Sequence, residues 1–271
     1  MSDRPIGMIV PMQDPTPFSP FAPANWREGL RRLREAGFDG VELAITNPDL
    51  LEAARVAEAL DTEGLRLLSI TTGQAAALEG LSLSSEDTDV RRRAVDRIVS
   101  HMAFAEGFGA VVIVGSLRGA DGDLGLLSES LRACAVAHPA VTIALEPLNR
   151  YESRLLNCVT EALEFLDAVD APNIGLLFDT FHANIEETSS VESIRRIGDR
   201  LVHVHVADSN RWVPGHGHVD FGAVERALDE VAYRGAVVLE PLPRPNAESL
   251  LAGAAVLHGS WATLGTRKDG A

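Results

Sequence analysis

Four residues that can bind a divalent metal ion lie at the ends of four successive apolar segments. Glu146 ends VTIALE, Asp179 ends IGLLFD, His205 lies near the end of LVHVHV, and Glu240 ends AVVLE. Intervals of 33, 26 and 35 residues separate them, each about one strand and one helix. Because parallel strands of a barrel end on the same side, the four side chains are expected to converge. Three carboxylates and one imidazole suit Mn²⁺, Mg²⁺, Co²⁺ or, less selectively, Zn²⁺.

A second interpretation treats each of these groups as a separate polar residue at a strand end, held by backbone hydrogen bonds. Four ionisable groups in the same position of successive strands favour the metal site over this alternative. Buried ionised groups are costly without a partner, and a divalent cation supplies the missing positive charge.

Three further histidines lie near this set. His203 precedes His205 by two residues, so strand alternation places both on one face, opposite the valines of LVHVHV. We expect His203 to be a hydrogen-bonded inner histidine that orients a metal ligand. His216 and His218 lie in the glycine-rich segment PGHGHVDF. A loop-bracing or solvated role is predicted for them, with a second metal ion as the alternative.

The elements that position these residues follow a regular alternation. Stretches of helical period, such as NWREGLRRLREAGF, separate eight apolar segments of strand length. We expect about eight helices and eight strands: Ile6–Val10, Gly40–Ala44, Leu65–Thr71, Ala110–Val114, Val141–Glu146, Ile174–Asp179, Leu201–Val206 and Ala236–Glu240.

Near-continuous apolar strands joined through helices are typical of a parallel sheet covered on both faces. Eight such units in 271 residues, with no GxGxxG after the first strand, favour a closed barrel over an open doubly wound sheet. The sequence therefore predicts an α/β fold, a single (β/α)8 TIM barrel with an eight-stranded parallel barrel. It predicts one domain over residues 1–271, with 265–271 as a flexible tail.

The composition of the chain argues against some binding partners and cellular locations. The net charge of −15 argues against binding to nucleic acid or anionic lipid, which require a clustered positive surface. No apolar run approaches the roughly 18 residues of a membrane span, and the N-terminal segment does not have the pattern of a signal peptide. The two cysteines lack zinc-site spacing and are expected to be reduced thiols. A cytoplasmic location is expected.

The loop after the first strand, residues 11–23, contains five prolines. Proline rigidifies a loop and excludes helix interior or central strand. Two interpretations remain, a surface connection or a wall over the mouth of the barrel.

Several sequence blocks carry a family resemblance. They are LEPLNRYE (145–152), FDTFHANIEE (178–187), VHVADSNRWVPGHGHVDF (204–221) and VLEPL (238–242). These blocks resemble the xylose isomerase-like barrel superfamily, and within it the ketose 3-epimerases of the D-tagatose and D-psicose type. The similarity is close over residues 140–242, whereas the first half resembles the family only in its fold pattern.

The resemblance implies roles at individual positions. Residues that bind one divalent ion, manganese in first place, are Glu146, Asp179, His205 and Glu240. Of these, Glu146 and Glu240 also act as the two acid/base groups. Residues that contact the sugar oxygens near the reacting carbon are Glu152, His182 and Arg211. The implied protein is a homo-oligomer, a dimer or a tetramer, that acts on a small-molecule sugar.

The chemistry fits these residue types. Removing the proton beside a ketone requires a base, and a metal ion bridging the C2 and C3 oxygens stabilises the resulting enediolate. A second carboxyl group on the other face can return the proton and so invert C3. The leading hypothesis is therefore a divalent-metal-dependent ketose 3-epimerase.

Other functions remain as alternatives because the segments after strands one to four do not match the epimerases. An inosose isomerase or dehydratase, or another aldose–ketose isomerase of the superfamily, would use related enediol chemistry. A sugar-binding barrel without turnover is a third possibility. A DNA-repair endonuclease would need several zinc ions and an Asp-Arg-His run, where this chain has Asn210, Arg211 and Trp212.

Overall fold

The predicted closed barrel is confirmed in a computed structural model of the chain, which describes residues 4–259 and 261. All neighbouring strands pair in parallel, and the last strand pairs with the first. The strands are β1 Ile6–Pro11, β2 Gly40–Ala44, β3 Arg66–Thr71, β4 Val111–Val114, β5 Ile143–Leu145, β6 Ile174–Asp179, β7 Leu201–Val206 and β8 Val237–Leu239. Because β5 and β8 are shorter than predicted, Glu146 and Glu240 lie one residue beyond them.

The described residues form eleven α-helices, against about eight predicted. The difference arises because two helices follow each of β3, β6 and β8. The helices are α1 Trp26–Glu35, α2 Ala53–Glu63, α3 Gly73–Glu79, α4 Thr88–Glu106, α5 Leu124–Ala137, α6 Val159–Val169, α7 Thr180–Glu186, α8 Ser190–Ile197, α9 Phe221–Glu230, α10 Ala247–Leu251 and α11 Gly253–His258. Within the described ranges, none of these helices has both the length and the apolar character needed to span a membrane. The tail predicted at 265–271 lies outside the described residues.

Strand alternation divides the apolar side chains into two sets. The larger set packs between the strands and the surrounding helices, and it includes Val41 and Leu43 of β2. The smaller set fills the barrel itself. It consists of two clusters, one of Ile9, Ala44, Leu68 and Val238 and the other of Ile113, Ala144 and Leu177. The alternate positions of some strands therefore carry the groups that enter the barrel interior.

Strand β7 follows the predicted alternation except at its start. Val204 and Val206 pack in the outer core, whereas His203 and His205 point into the barrel. Val202 was expected on the side of the other two valines, but it packs against the interior cluster that contains Leu177. The pairing of β6 with β7 shifts register at this point, and such an irregularity changes which face a side chain occupies.

Candidate active site

The four predicted metal ligands come together at the carboxyl end of the barrel. Glu146 follows β5, Asp179 ends β6, His205 lies in β7, and Glu240 follows β8. One donor atom from each lies within 4.8 Å of the others, and all four residues are buried. Residues separated by whole strand–helix units thus share one small volume.

Two ligand atoms at the centre of this cluster have no hydrogen-bond partner in the described part of the chain. Asp179 uses Oδ1 to accept a bond from the Phe181 backbone N–H at 2.6 Å, which caps α7, and its Oδ2 is left without a partner. The Nδ1 atom of His205 also lacks one, 3.5 Å from Glu240 and 3.8 Å from Glu146. Buried polar atoms are normally satisfied, so this donor set fits a divalent cation.

Neighbouring residues hold Glu146 from two sides. The buried guanidinium of Arg118 donates to the backbone carbonyl of Glu146. On the other side, a Cβ at Gly115 would collide with Oε2 of Glu146, so the glycine leaves room for the carboxylate. Burial, and then the charge of Glu240, raise the pKa of Glu146 well above its usual value.

The pKa of Glu240 is shifted in the opposite direction. Burial by itself raises the pKa of Glu240, but the charges of His205 and Arg211 outweigh it and lower the pKa to about 2. The Arg211 Nη2 atom donates to Oε2 of Glu240 at 2.8 Å. The surroundings of the two glutamates therefore push their pKa values apart, a split typical of acid/base pairs.

Arg211 reaches the site from the loop that follows β7. Its guanidinium contacts Glu152 at 3.3 Å as well as Glu240, and lies 4.5 Å from the ring centre of Phe18 and 4.6 Å from that of Phe181. Its backbone has a φ of 58°, a left-handed conformation that is costly for a residue other than glycine. The surrounding loop must therefore hold it in place.

Asp208 supplies that support. This buried carboxylate accepts hydrogen bonds from the backbone N–H groups of Ser209 at 2.8 Å, Gly215 at 2.8 Å and Val219 at 3.2 Å. The Asp208 carbonyl also accepts from the backbone N–H of Arg211 at 2.7 Å. The carboxylate of Asp208 thus fixes both ends of the loop, and its backbone carbonyl fixes the position of the arginine.

The loop histidines agree with the bracing role expected for them. His218 Nδ1 lies 3.0 Å from the Ser209 hydroxyl, and the His216 carbonyl accepts from the Asn210 side chain at 2.9 Å. Neither histidine belongs to the metal-competent clusters found among the described residues.

Asn149 fixes the orientation of His182. Its Oδ1 accepts from the Tyr151 backbone N–H at 2.9 Å, so its amide nitrogen faces His182 Nδ1 at 2.8 Å and Glu152 Oε1 at 2.9 Å. His182 Nδ1 is therefore the acceptor, and Nε2 carries the proton, 3.7 Å from both Glu146 Oε1 and Asp179 Oδ2. Burial lowers the pKa of His182, which favours this neutral form.

Glu42 of β2 forms a second buried cluster beneath the first. Its Oε2 accepts from the Ser69 hydroxyl at 2.5 Å and lies 3.3 Å from His203 Nε2 and 3.1 Å from His205 Nε2. Burial opposes ionisation of Glu42, yet the two histidines lower its pKa; Glu42 and Glu240 in turn raise the pKa of His205 against the effect of burial. Burial lowers the pKa of His203. His203 therefore reaches His205 mainly through a shared carboxylate, an indirect form of the orienting role expected for it.

A cavity of about 300 Å³ lies over the metal-competent cluster. Its floor includes Glu146 and Glu240, and Glu152, His182 and Arg211 line one side. Residues 15–18 of the proline-rich loop line another side, so this loop forms a wall over the barrel mouth, the second of its two interpretations. A larger cavity of about 890 Å³ lies at the opposite end, beside the first residues of several strands. Barrel enzymes place their chemistry at the carboxyl end, where the smaller cavity lies.

The model of the xylose isomerase-like TIM barrel family matches residues 30–258 of this chain. The chain belongs to this family. A D-psicose 3-epimerase of Enterocloster bolteae is 44% identical over 101 residues, which are 37% of this chain and 34% of that protein. An L-ribulose 3-epimerase of Methylomonas sp. is 32% identical over 232 residues, 80% of this chain and 78% of that protein.

A solved structure gives the same relationship. The D-psicose 3-epimerase of Clostridium cellulolyticum H10, determined with D-tagatose, superposes with a TM-score of 0.79 at 26% identity, covering 94% of this chain and 97% of that one. These named relatives of the xylose isomerase-like barrel are ketose 3-epimerases, which are isomerases acting on carbohydrates. The family predicted from the sequence blocks is confirmed.

Within this xylose isomerase-like barrel, all seven predicted site residues surround one cavity or its floor. They are Glu146, Glu152, Asp179, His182, His205, Arg211 and Glu240. Sequence reasoning gave no role to Glu42 or Asn149. A signal existed for both, since Glu42 is the one charged residue in the strand GVELA, and Asn149 lies between two site glutamates in LEPLNRYE.

Proposed function

We propose that this chain is a sugar epimerase that inverts C3 of a ketose by removing and returning a proton, with one bound divalent metal ion, manganese in first place. The observation that carries the proposal is the pairing of Glu146 and Glu240. These buried glutamates follow β5 and β8 and both line the cavity, and the named ketose 3-epimerases provide the sugar class.

Each site residue has its own role in the proposed reaction. One glutamate of the pair accepts the proton from C3, and the other donates a proton to the opposite face, which inverts the centre. Arg211 and Glu152, 3.3 Å apart, bind the sugar oxygens, and His182 donates through Nε2. The Phe18 ring covers the guanidinium and keeps water from it. An ion held by the four ligands supplies positive charge that stabilises the negative charge developing on the substrate oxygens.

Deuterium exchange tests this proposal. The purified protein, stripped with a chelator and reloaded with Mn²⁺, is incubated in D₂O with D-fructose, D-psicose, D-tagatose and L-ribulose. The expected result is deuterium at C3 and formation of the C3 epimer, detected by NMR, with both lost in the Glu240→Gln variant. Reloading with Co²⁺, Mg²⁺ or Zn²⁺ ranks the metals.

The same spectra contain the contrary outcomes. A shifted carbonyl or loss of water would favour the inosose or aldose–ketose isomerase or dehydratase, and absence of exchange at C3 in every sugar would contradict the epimerase. A homo-oligomeric assembly, a cytoplasmic location and a single domain over the whole chain stay predictions.

A further inference from the structure

Glu42 touches a metal ligand from the side opposite the predicted ion. It is fully buried inside the barrel, in the middle of β2, and its Oε2 lies 3.1 Å from His205 Nε2. We infer that Glu42 is the positioning residue that presents His205 Nδ1 to the metal ion. This inference rests on the proposed function, because that function supplies the ion.

The two ring nitrogens of His205 face different surroundings. Nε2 faces Glu42, whereas Nδ1 faces Glu240 at 3.5 Å and Glu146 at 3.8 Å. A neutral imidazole has one donor and one acceptor nitrogen, so donation from Nε2 leaves the Nδ1 lone pair available to a cation. Metal-binding histidines commonly donate their other N–H to a carboxylate, which fixes the ring and increases its basicity.

The carboxylate of Glu42 is itself fixed by several contacts. The Ser69 hydroxyl donates to the same Oε2 at 2.5 Å, and His203 Nε2 lies 3.3 Å from it. In the described ranges, the ion-pair partners of Glu42 are His203 and His205, so no arginine or lysine bridge accounts for this buried carboxyl group. A carboxyl group is costly to bury inside a barrel, and the orientation of the metal ligand explains its presence.

A competing role for Glu42 would be metal binding of its own. Donor atoms of Glu42, His203 and His205 lie close enough together to hold an ion. An ion there would have to displace the hydrogen bond between Glu42 and His205 Nε2. The number of ions bound per chain distinguishes the two roles.

Isothermal titration of the chelator-treated full chain with Mn²⁺ tests the inference. The Glu42→Leu variant should bind Mn²⁺ about 10–100-fold more weakly than the wild type, the loss expected when the partner of a ligating histidine is removed. The Glu42→Gln variant should recover much of the affinity, since its amide oxygen accepts the same hydrogen bond. The Glu164→Gln variant, which changes an exposed glutamate of α6 far from the site in the fold, is the control and should bind as well as the wild type.

A spectroscopic measurement separates orientation from general destabilisation. Long-range ¹H–¹⁵N NMR spectra of the Zn²⁺-loaded wild type should show His205 protonated at Nε2, and Glu42→Leu should lose this single tautomer. Circular dichroism verifies that each variant is folded. If the leucine variant is not, the His205 tautomer of the wild type carries the test, and a ring without a proton on Nε2 would overturn the inference.

Each remaining outcome has a distinct meaning. A wild type that binds no ion would overturn the proposed function itself. A wild type that binds Mn²⁺ while Glu42→Leu binds it equally well, with an unchanged tautomer, would overturn only the role of Glu42. Two ions in the wild type and one in Glu42→Leu would replace that role with a second metal site.

Discussion

Replacing Glu146 with glutamine should stabilise the protein without metal and destabilise it relative to the wild type with metal. Burial and Glu240 raise the pKa of Glu146 above its ordinary value of 4.5. A carboxyl group whose pKa is higher in the folded state stabilises at low pH, and this contribution disappears as the pH rises through the folded pKa. Glutamine does not titrate, so the free energy of unfolding of Glu146→Gln should rise relative to that of the wild type as the pH increases from about 4.5 through the folded-state pKa of Glu146.

The distances in the cluster give the size of this effect. Two ionised carboxylates whose oxygens lie within 4.8 Å of each other repel by at least about 3.5 kcal/mol at an effective dielectric constant near 20. Attraction from His205 and Arg211 offsets part of this repulsion. A net repulsion of roughly 1–3 kcal/mol should remain in the folded wild type at pH 8 and be absent from Glu146→Gln. At about 2–4 °C per kcal/mol, the variant should melt several degrees above the wild type in the presence of a chelator.

Manganese should reverse the order of stability, so that the wild type becomes more stable than Glu146→Gln. At a Mn²⁺ concentration about 100 times its Kd, a specific ion stabilises the wild type by about 2.7 kcal/mol, whereas Glu146→Gln lacks one of the four ligands and should gain far less. Thermal unfolding followed by circular dichroism, with chelator and with Mn²⁺, measures both shifts. Glu164→Gln changes an exposed glutamate of α6 and is the control. An undiminished manganese shift in Glu146→Gln, or a variant no more stable than the wild type at pH 8 with chelator, would refute the reasoning.

Three further changes probe the supports of the site. Asn149→Leu removes the donor that fixes the tautomer of the neighbouring histidine, so kcat/KM should fall about 10-fold or more, as steady-state kinetics would show; an unaltered kcat/KM would rule this out. Asp208→Ala leaves three backbone N–H groups without their charged acceptor and should lower the free energy of unfolding by about 3–5 kcal/mol in urea titrations, and a loss below about 1 kcal/mol would argue against it. Gly115→Ala should weaken Mn²⁺ binding in calorimetry because its methyl group collides with Glu146, whereas Gly107→Ala, whose methyl group meets open space, should not; equal affinities would remove the steric explanation.

The fold and the convergence of the four candidate metal ligands could be predicted because both depend on repeated local patterns. Apolar strands alternate with amphipathic helices, and a polar residue one strand–helix unit after another must return to the same end of a parallel barrel. This rule alone predicts that Glu146 and Glu240 lie at the mouth of the barrel. Even the shortening of β5 and β8 left both residues at the barrel mouth.

Other features depend on contacts between distant parts of the chain. The proline-rich loop forms a wall in which Phe18 stacks on the guanidinium of Arg211, a contact that no local pattern contains. The side taken by Val202 was predicted wrongly because a register shift between β6 and β7 overrode strict alternation. Both outcomes were set by packing against a neighbouring element.

Strand periodicity and residue spacing by themselves determined the barrel and the set of groups that meet at its mouth. Only the tertiary structure showed that Glu42 lies against His205, 163 positions away in sequence, and that Asn149 decides which nitrogen of His182 carries the proton. The physical reason is that a hydrogen bond depends on distances of about 3 Å and on orientation, which become fixed only when the barrel closes and its interior side chains pack.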